Sequence, residues 1–532
     1  MIRGFRQIAL LTIVSRIFGF IRDITFSHFF GAGGLLDAWI IAFRIPNLAR
    51  RLFGEGAASA SFIPVYSEQL AGDRDRAANL ANTMITTIFV LLAGVVLVGE
   101  VVIWCYYKFF ANTSETQLVL SLTSVMLPYM VLVCTVAILG GILNVHRHFA
   151  APAAAPVVLN IFIIASILLT GWLFGVPARQ QPFYVALAVI VAGCVQLGMQ
   201  IPPLRRAGVK IRPAWHIYSS SFKKVIFLMG PMIIGLTVTQ INTLADDLIA
   251  WWFSGSAEKG YSFFLMGNEI LFPLKRGSVS YLYYSQRLYQ LPLGVLGISL
   301  ATAVFPVMSS YAASRDYSGL SRAISSGIRS SVFMAVPAII GLVFVGKPLI
   351  SVAFEHGKFS SQHTDMVALT LFFYSLGLCG YFGQQVLTRA FYSMQDSRVP
   401  MRSALAAVLV NVVLNLTLLW PLGTAGLAAS TAICSYLQVI ILLTALLRRL
   451  DSSILAGFSV TVCKTLICSA FMSVVLLVTW WLSKTSCGIL RLLTMVPAGA
   501  IAYLFAARLL AMKELSLLTR GRKAVVRDEK SS

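Results

Sequence analysis

The chain has 532 residues, 58% of them hydrophobic and 12% charged, with 42 basic against 20 acidic side chains for a formal charge of +22. A mean hydropathy of +0.81 excludes an ordinary soluble domain. The basic excess recurs in short loops between apolar runs, which is a positive-inside membrane pattern and not a nucleic-acid footprint.

The apolar runs predict an all-α polytopic membrane protein of about 14 helices, at 5–30, 34–66, 80–107, 117–145, 153–175, 182–204, 222–253, 278–311, 322–345, 364–392, 401–420, 424–447, 456–482 and 489–511. The first is not read as a cleavable leader. Arg16 and Arg22 interrupt its apolar stretch, and no small-residue cleavage site follows. Those two arginines are six residues apart, about 120° from eclipsed and ~9 Å apart along a helix axis. Gly19 between them allows close helix approach, and Asp23 follows directly.

FGAGGLLD (30–37) reads as a tight turn into the second helix, which carries Asp37, Arg44, Pro46, Arg50, Arg51 and Glu55. Pro46-Asn47 is expected to break or kink that helix and to free backbone groups into a cavity. A charge at bilayer depth costs roughly 2.5–3.5 kcal/mol, so these residues should face a protein interior or a wet cavity. Asp23, Asp37 and Glu55 can pair with some of the arginines at 16, 22, 44, 50 and 51, but they are outnumbered. The surplus points to an anionic cargo, and the guanidinium fork suits phosphate because it donates two parallel hydrogen bonds and stays charged.

Residues 205–221 mix arginine and lysine with Trp215 and Tyr218, which reads as an amphipathic linker on the cytoplasmic surface facing anionic headgroups. Helix seven contains Asp246 and Asp247; with Asp396 near helix eleven they are candidates to bind a coupling Na+ or to carry H+. The segment 254–275 has no assignable role. In helix eight, YYSQRLYQLPLGVLG (283–297) carries Arg287 between Gln286 and Gln290, with no acid nearby to neutralise it.

An internal repeat relates SASFIPVYSEQLAGDRD (59–75) to ATAVFPVMSSYAASRD (301–316), aligning Pro64 with Pro306. It also relates HFAAPAAAPVVLNI (148–161) to DSRVPMRSALAAVLVNV (396–412), aligning Asn160 with Asn411. Repeated halves are a transporter signature. The division expected is an N-terminal six-helix lobe (1–204), the linker (205–221), a C-terminal six-helix lobe (222–447), two extra helices (448–511) and a basic cytoplasmic tail (512–532). The basic even-numbered loops place both termini inside. Cysteines sit singly in apolar runs, histidines are scattered, and no nucleophile–base pair stands out, so neither a metal site nor an enzyme is indicated.

The stretches SRIFGFIRD, FGAGGLLDAW, FRIPNLARRLFGEGAASASFIPVYSE, YYSQRLYQLPLGVLG and RAFYSMQDSRVP resemble the MurJ/MviN family, within the multidrug/oligosaccharidyl-lipid/polysaccharide exporter superfamily. The resemblance spans nearly the whole chain. It implies lipid II translocation from the inner to the outer leaflet of the bacterial cytoplasmic membrane by alternating access, in the service of peptidoglycan synthesis. It also implies a groove for the polyprenyl tail formed by the last two helices. Carried over by motif, the pyrophosphate-binding arginines fall on Arg16, Arg22, Arg50 or Arg51, and Arg287, with Asp37 and Glu55 in support.

The family often has acids flanking the helix-eight arginine; Gln286 and Gln290 depart from that pattern. No cofactor is implied beyond a coupling cation or the membrane potential. The partners implied are lipid II and membrane lipids, with other cell-wall synthesis proteins as candidates. Alternatives are an exporter of another polyprenyl-linked glycan or amphipathic compound, and an intramembrane glycosyltransferase whose only formal carboxylates are Glu258 and Glu355.

Overall fold

At bilayer depth a backbone must satisfy its own hydrogen bonds, so the long apolar runs fold as helices. The computed structural model describes residues 2–265, 267–450 and 452–515; side chains at 2–5, 54–60, 231, 234–236, 238–239, 265 and 452–453 lie outside that description. Most of the expected basic tail, and the side chain of Glu55, therefore lie outside the described residues.

The helices are α1 (Ile2–Phe30), α2 (34–72), α3 (Arg74–Phe109), α4 (Ser114–Val145), α5 (Ala150–Leu173), α6 (Gln181–Arg206) and α7 (Ser220–Trp252). They continue as α8 (Ser278–Ala313), α9 (Tyr317–Phe354), α10 (361–393), α11 (Arg398–Leu422), α12 (Thr424–Leu447), α13 (Phe458–Leu482) and α14 (Gly488–Leu509). Among the described residues 10 helices are long and apolar enough to cross a membrane, or 11 if the two halves of α10, bent by 42°, count as one span. α1, α2 and α7, which carry the first arginine motifs and the Asp246–Asp247 pair, lie outside that set, whereas α8 with Arg287 lies within it. This is an all-α polytopic membrane protein.

Pro46 does not break α2. The α-helix runs from Gly34 through Pro46 to Ala49, and the irregularity begins one residue later as a π-helical stretch, Arg50–Gly56, before the helix resumes at Ala57–Gly72. A proline removes a single intrahelical donor, whereas a π stretch re-aims every side chain that follows it. The segment 254–275 is a small β-structure: β1 (Ser254–Gly255) pairs in parallel with β4 (Leu274–Lys275), and β2 (Ser262–Leu265) is antiparallel to β3 (Asn268–Leu271). The linker after α6 is not helical. Asn82 of α3 bonds both the Lys210 carbonyl (3.1 Å) and the Arg212 amide (3.1 Å), while Thr86 and Thr83 accept from Ala214 and His216.

The chain forms two compact units, Met1–Ser280 with His356–Phe359, and Tyr281–Glu355 with Ser360–Ser532. In the first, α1 packs on α5, α2 on α4, α5 on α6, and α7 along the second half of α2. In the second, α11 packs on α12, α13 on α14, and α9 on α10, α13 and α14. Packing thus groups α7 and the β-structure with α1–α6, whereas the repeat divides the chain at the linker.

Candidate functional site

In the first unit the arginine-rich helices do not hold their charges alike. Arg16 is exposed on α1 and has no hydrogen bond or ion pair among the described residues. Two turns on, Arg22 is buried at 8% exposure. Its Nε and Nη2 donate to Asp23 Oδ1 at 3.1 and 2.8 Å, and its Nη1 donates to Asn160 Oδ1 of α5 at 3.0 Å. Gly19, between the two arginines, faces the same asparagine: a Cβ there would lie 3.6 Å from Asn160 Nδ2. The expected close approach at Gly19 is made by α5 against α1.

On α2, Arg44 reaches the fully buried Asp247 of α7 through Nε (2.6 Å) and Nη2 (2.5 Å). Past Pro46, the half-buried Arg50 donates to Asn47 Oδ1 at 3.2 Å, and the exposed Arg51 donates to Gln240 Oε1 of α7 at 2.9 Å. Adjacent residues on a helix point about 100° apart, so these neighbouring arginines meet different partners. The acceptors in these two bonds are neutral amides.

Asp37 was expected to support the arginines. Its carboxylate instead accepts from the Gly277 amide (2.6 Å) and from the amide and hydroxyl of Ser280 (2.8 and 2.6 Å), so it caps the start of α8. The preference of a helix N-terminus for an anion explains that choice. Of the acids proposed to carry a coupling ion, Asp246 and Asp247 are buried on α7, and Asp247 is the partner of Arg44. Asp396 lies in the loop before α11, where it accepts from the Arg398 and Val399 amides and pairs with Arg449 at 2.7 Å. Partial burial opposes ionisation there, but these donors win and hold the carboxyl below the usual aspartate range.

In the second unit Arg287 is exposed on α8; its Nη2 donates to Tyr283 Oη at 3.3 Å and its guanidinium lies 4.7 Å from that ring. Gln286 is buried and bonds Tyr374 Oη, while Gln290 is exposed. The same unit contains an apolar groove of about 500 Å³ between α9, α13 and α14, lined among others by Phe333, Met334, Met472, Leu476, Met495 and Tyr503.

The carboxylates that an enzyme would need are structurally committed. Glu258 is held below the usual glutamate range, first by the hydrogen bond from Ser114 and also by the Glu115 amide. Glu355 accepts from Thr364 at 2.8 Å. Sequence reading missed the Arg44–Asp247 pair and the Arg22–Asn160 bond. In the sequence Asn160 is only a landmark of the repeat, since spacing does not reveal which helix packs on α1.

A family model described as lipid II flippase MurJ matches residues 26–497. The chain is 33% identical over 448 residues, 82% of its length and 81% of the relative's, to a probable lipid II flippase MurJ of Vibrio cholerae. It is 30% identical over 460 residues, 84% of each chain, to a lipid II flippase MurJ of Burkholderia cenocepacia. A solved structure described as lipid II flippase MurJ in an inward closed conformation aligns with a TM-score of 0.74 at 23% identity, covering 94% of this chain and 98% of that one. An inward-facing multidrug resistance MATE family transporter aligns at 0.61 and 13% identity, covering 82% and 94%, and shares the fold alone.

Proposed function

The chain belongs to the lipid II flippase MurJ family and is a membrane transporter, not an enzyme; from that premise we propose that it carries lipid II from the inner to the outer leaflet of the bacterial cytoplasmic membrane. The family match across 26–497 carries this reading. The physical obstacle is the passage of a pyrophosphate and its sugars through ~30 Å of hydrocarbon. In the first unit Arg16, Arg22, Arg50 and Arg51 replace the water around the pyrophosphate, and Arg287 offers the same chemistry in the second. The apolar groove between α9, α13 and α14 suits a polyprenyl tail, which has no polar group to satisfy.

Binding by itself moves nothing: states open to the two leaflets must differ in affinity, and a source of free energy must reset them. The membrane potential supplies about 2.3 kcal/mol per charge per 100 mV. A cation or proton at Asp246, Asp247 or Asp396 is the other source proposed. Both termini are cytoplasmic in this reading, and surrounding lipids and other cell-wall synthesis proteins are its further partners.

Depletion of the protein, complementation with Arg22→Ala or Arg287→Ala, and measurement of lipid II exposed on the outer leaflet test it. Exposure should collapse while the variants accumulate normally in the membrane. Normal exposure in both would sink the reading.

A further inference from the structure

We infer that Asn160 is a positioning residue for headgroup binding: it holds the Arg22 guanidinium at the α1–α5 crevice through a neutral acceptor. The inference rests on Arg22 gripping the pyrophosphate. Asn160 is 6% exposed and bridges two points of α1, accepting from Arg22 Nη1 (3.0 Å) and donating from Nδ2 to the Ser15 carbonyl (3.3 Å). Its orientation is fixed by chemistry, because a guanidinium can only donate and a carbonyl can only accept. The amide reaches both because Gly19 leaves room between them.

Asp23 already places a carboxylate on one edge of Arg22. A second carboxylate on the other edge would hold the side chain equally well but would add a negative charge where an anion has to bind. A neutral acceptor gives the geometry and adds no charge of its own. In the second half the counterpart Asn411 donates to Thr431 Oγ1 and accepts from Asn415.

The test uses full-length protein in nanodiscs with undecaprenyl pyrophosphate as the probe, comparing Asn160→Ala, Asn160→Asp and Arg22→Gln, each checked for an unchanged thermal melt. Loss of one charge-assisted hydrogen bond should weaken binding by about tenfold in Asn160→Ala. Asn160→Asp, isosteric and still able to accept from Arg22, should bind more weakly than Asn160→Ala. A merely structural asparagine predicts the reverse order, so wild-type-like binding in Asn160→Asp overturns the inference, as does wild-type binding in both variants. Wild-type binding in Arg22→Gln overturns the headgroup role of Arg22 and this inference with it. Lost binding in Arg22→Gln alone overturns only the role of Asn160.

Discussion

Individual charges in this protein separate into those paired between helices and those proposed to meet a ligand. Arg44 and Asp247 are of the first kind, a pair with the acid fully buried between α2 and α7. Removing one member of such a pair leaves an uncompensated buried charge, so Asp247→Ala should lower stability by about 3–5 kcal/mol. The joint replacement Arg44→Met with Asp247→Leu should recover most of it, read as thermal unfolding in detergent. Transport that survives in the joint variant with its ion dependence unchanged would remove Asp247 from the coupling candidates. Asp396 behaves differently. Its carboxyl is held low by Arg449 and two amides, so its contribution to stability is complete above the usual aspartate range and is lost only as pH falls through its depressed value. Transport measured between about pH 6 and pH 8 should therefore show the same pH profile in Asp396→Asn as in wild type, which leaves Asp396 a cation site only; a changed profile would assign it the proton.

At the level of elements, α2 departs from a regular helix where function is proposed. The π-helical stretch at Arg50–Gly56 begins at the two adjacent arginines, whose partners Asn47 and Gln240 lie on α2 itself and on α7. The sequence signalled an irregularity here through Pro46, but the location depended on how α2 packs against α4 and α7. The start of α8 depends on Asp37. Asp37→Ala should leave the Gly277 and Ser280 amides unpaired and cost about 1–3 kcal/mol, with faster amide exchange across 277–283. Asp37→Asn keeps an acceptor and should cost less; equal losses would show that the cap is not what stabilises the element. That role was not legible from sequence, since 240 residues separate the acid from the Gly277 amide it receives.

For the whole molecule, the charge distribution predicts sidedness. Reporters or single labelled sites at the α2–α3 turn, at the strap after α6 and beyond residue 515 should report the cytoplasm, while those at 110–113 and in the β-structure at 254–275 should report the outside. Opposite labelling at the two ends of the chain would overturn an even number of spans. The helix order was readable because a span of hydrocarbon imposes a length and an apolarity on every segment that crosses it, and the arginine motifs stood out because their presence in such segments carries a cost. The sequence by itself thus determined the all-α membrane class, the order of α1–α14 and which arginines are candidates. Only the tertiary structure decided that Arg44 is consumed by Asp247, that Asp37 caps α8, and that Asn160 holds Arg22. The physical reason is range. Hydropathy and spacing are local properties of the chain, whereas the partner of a buried charge is chosen by packing between helices distant in sequence.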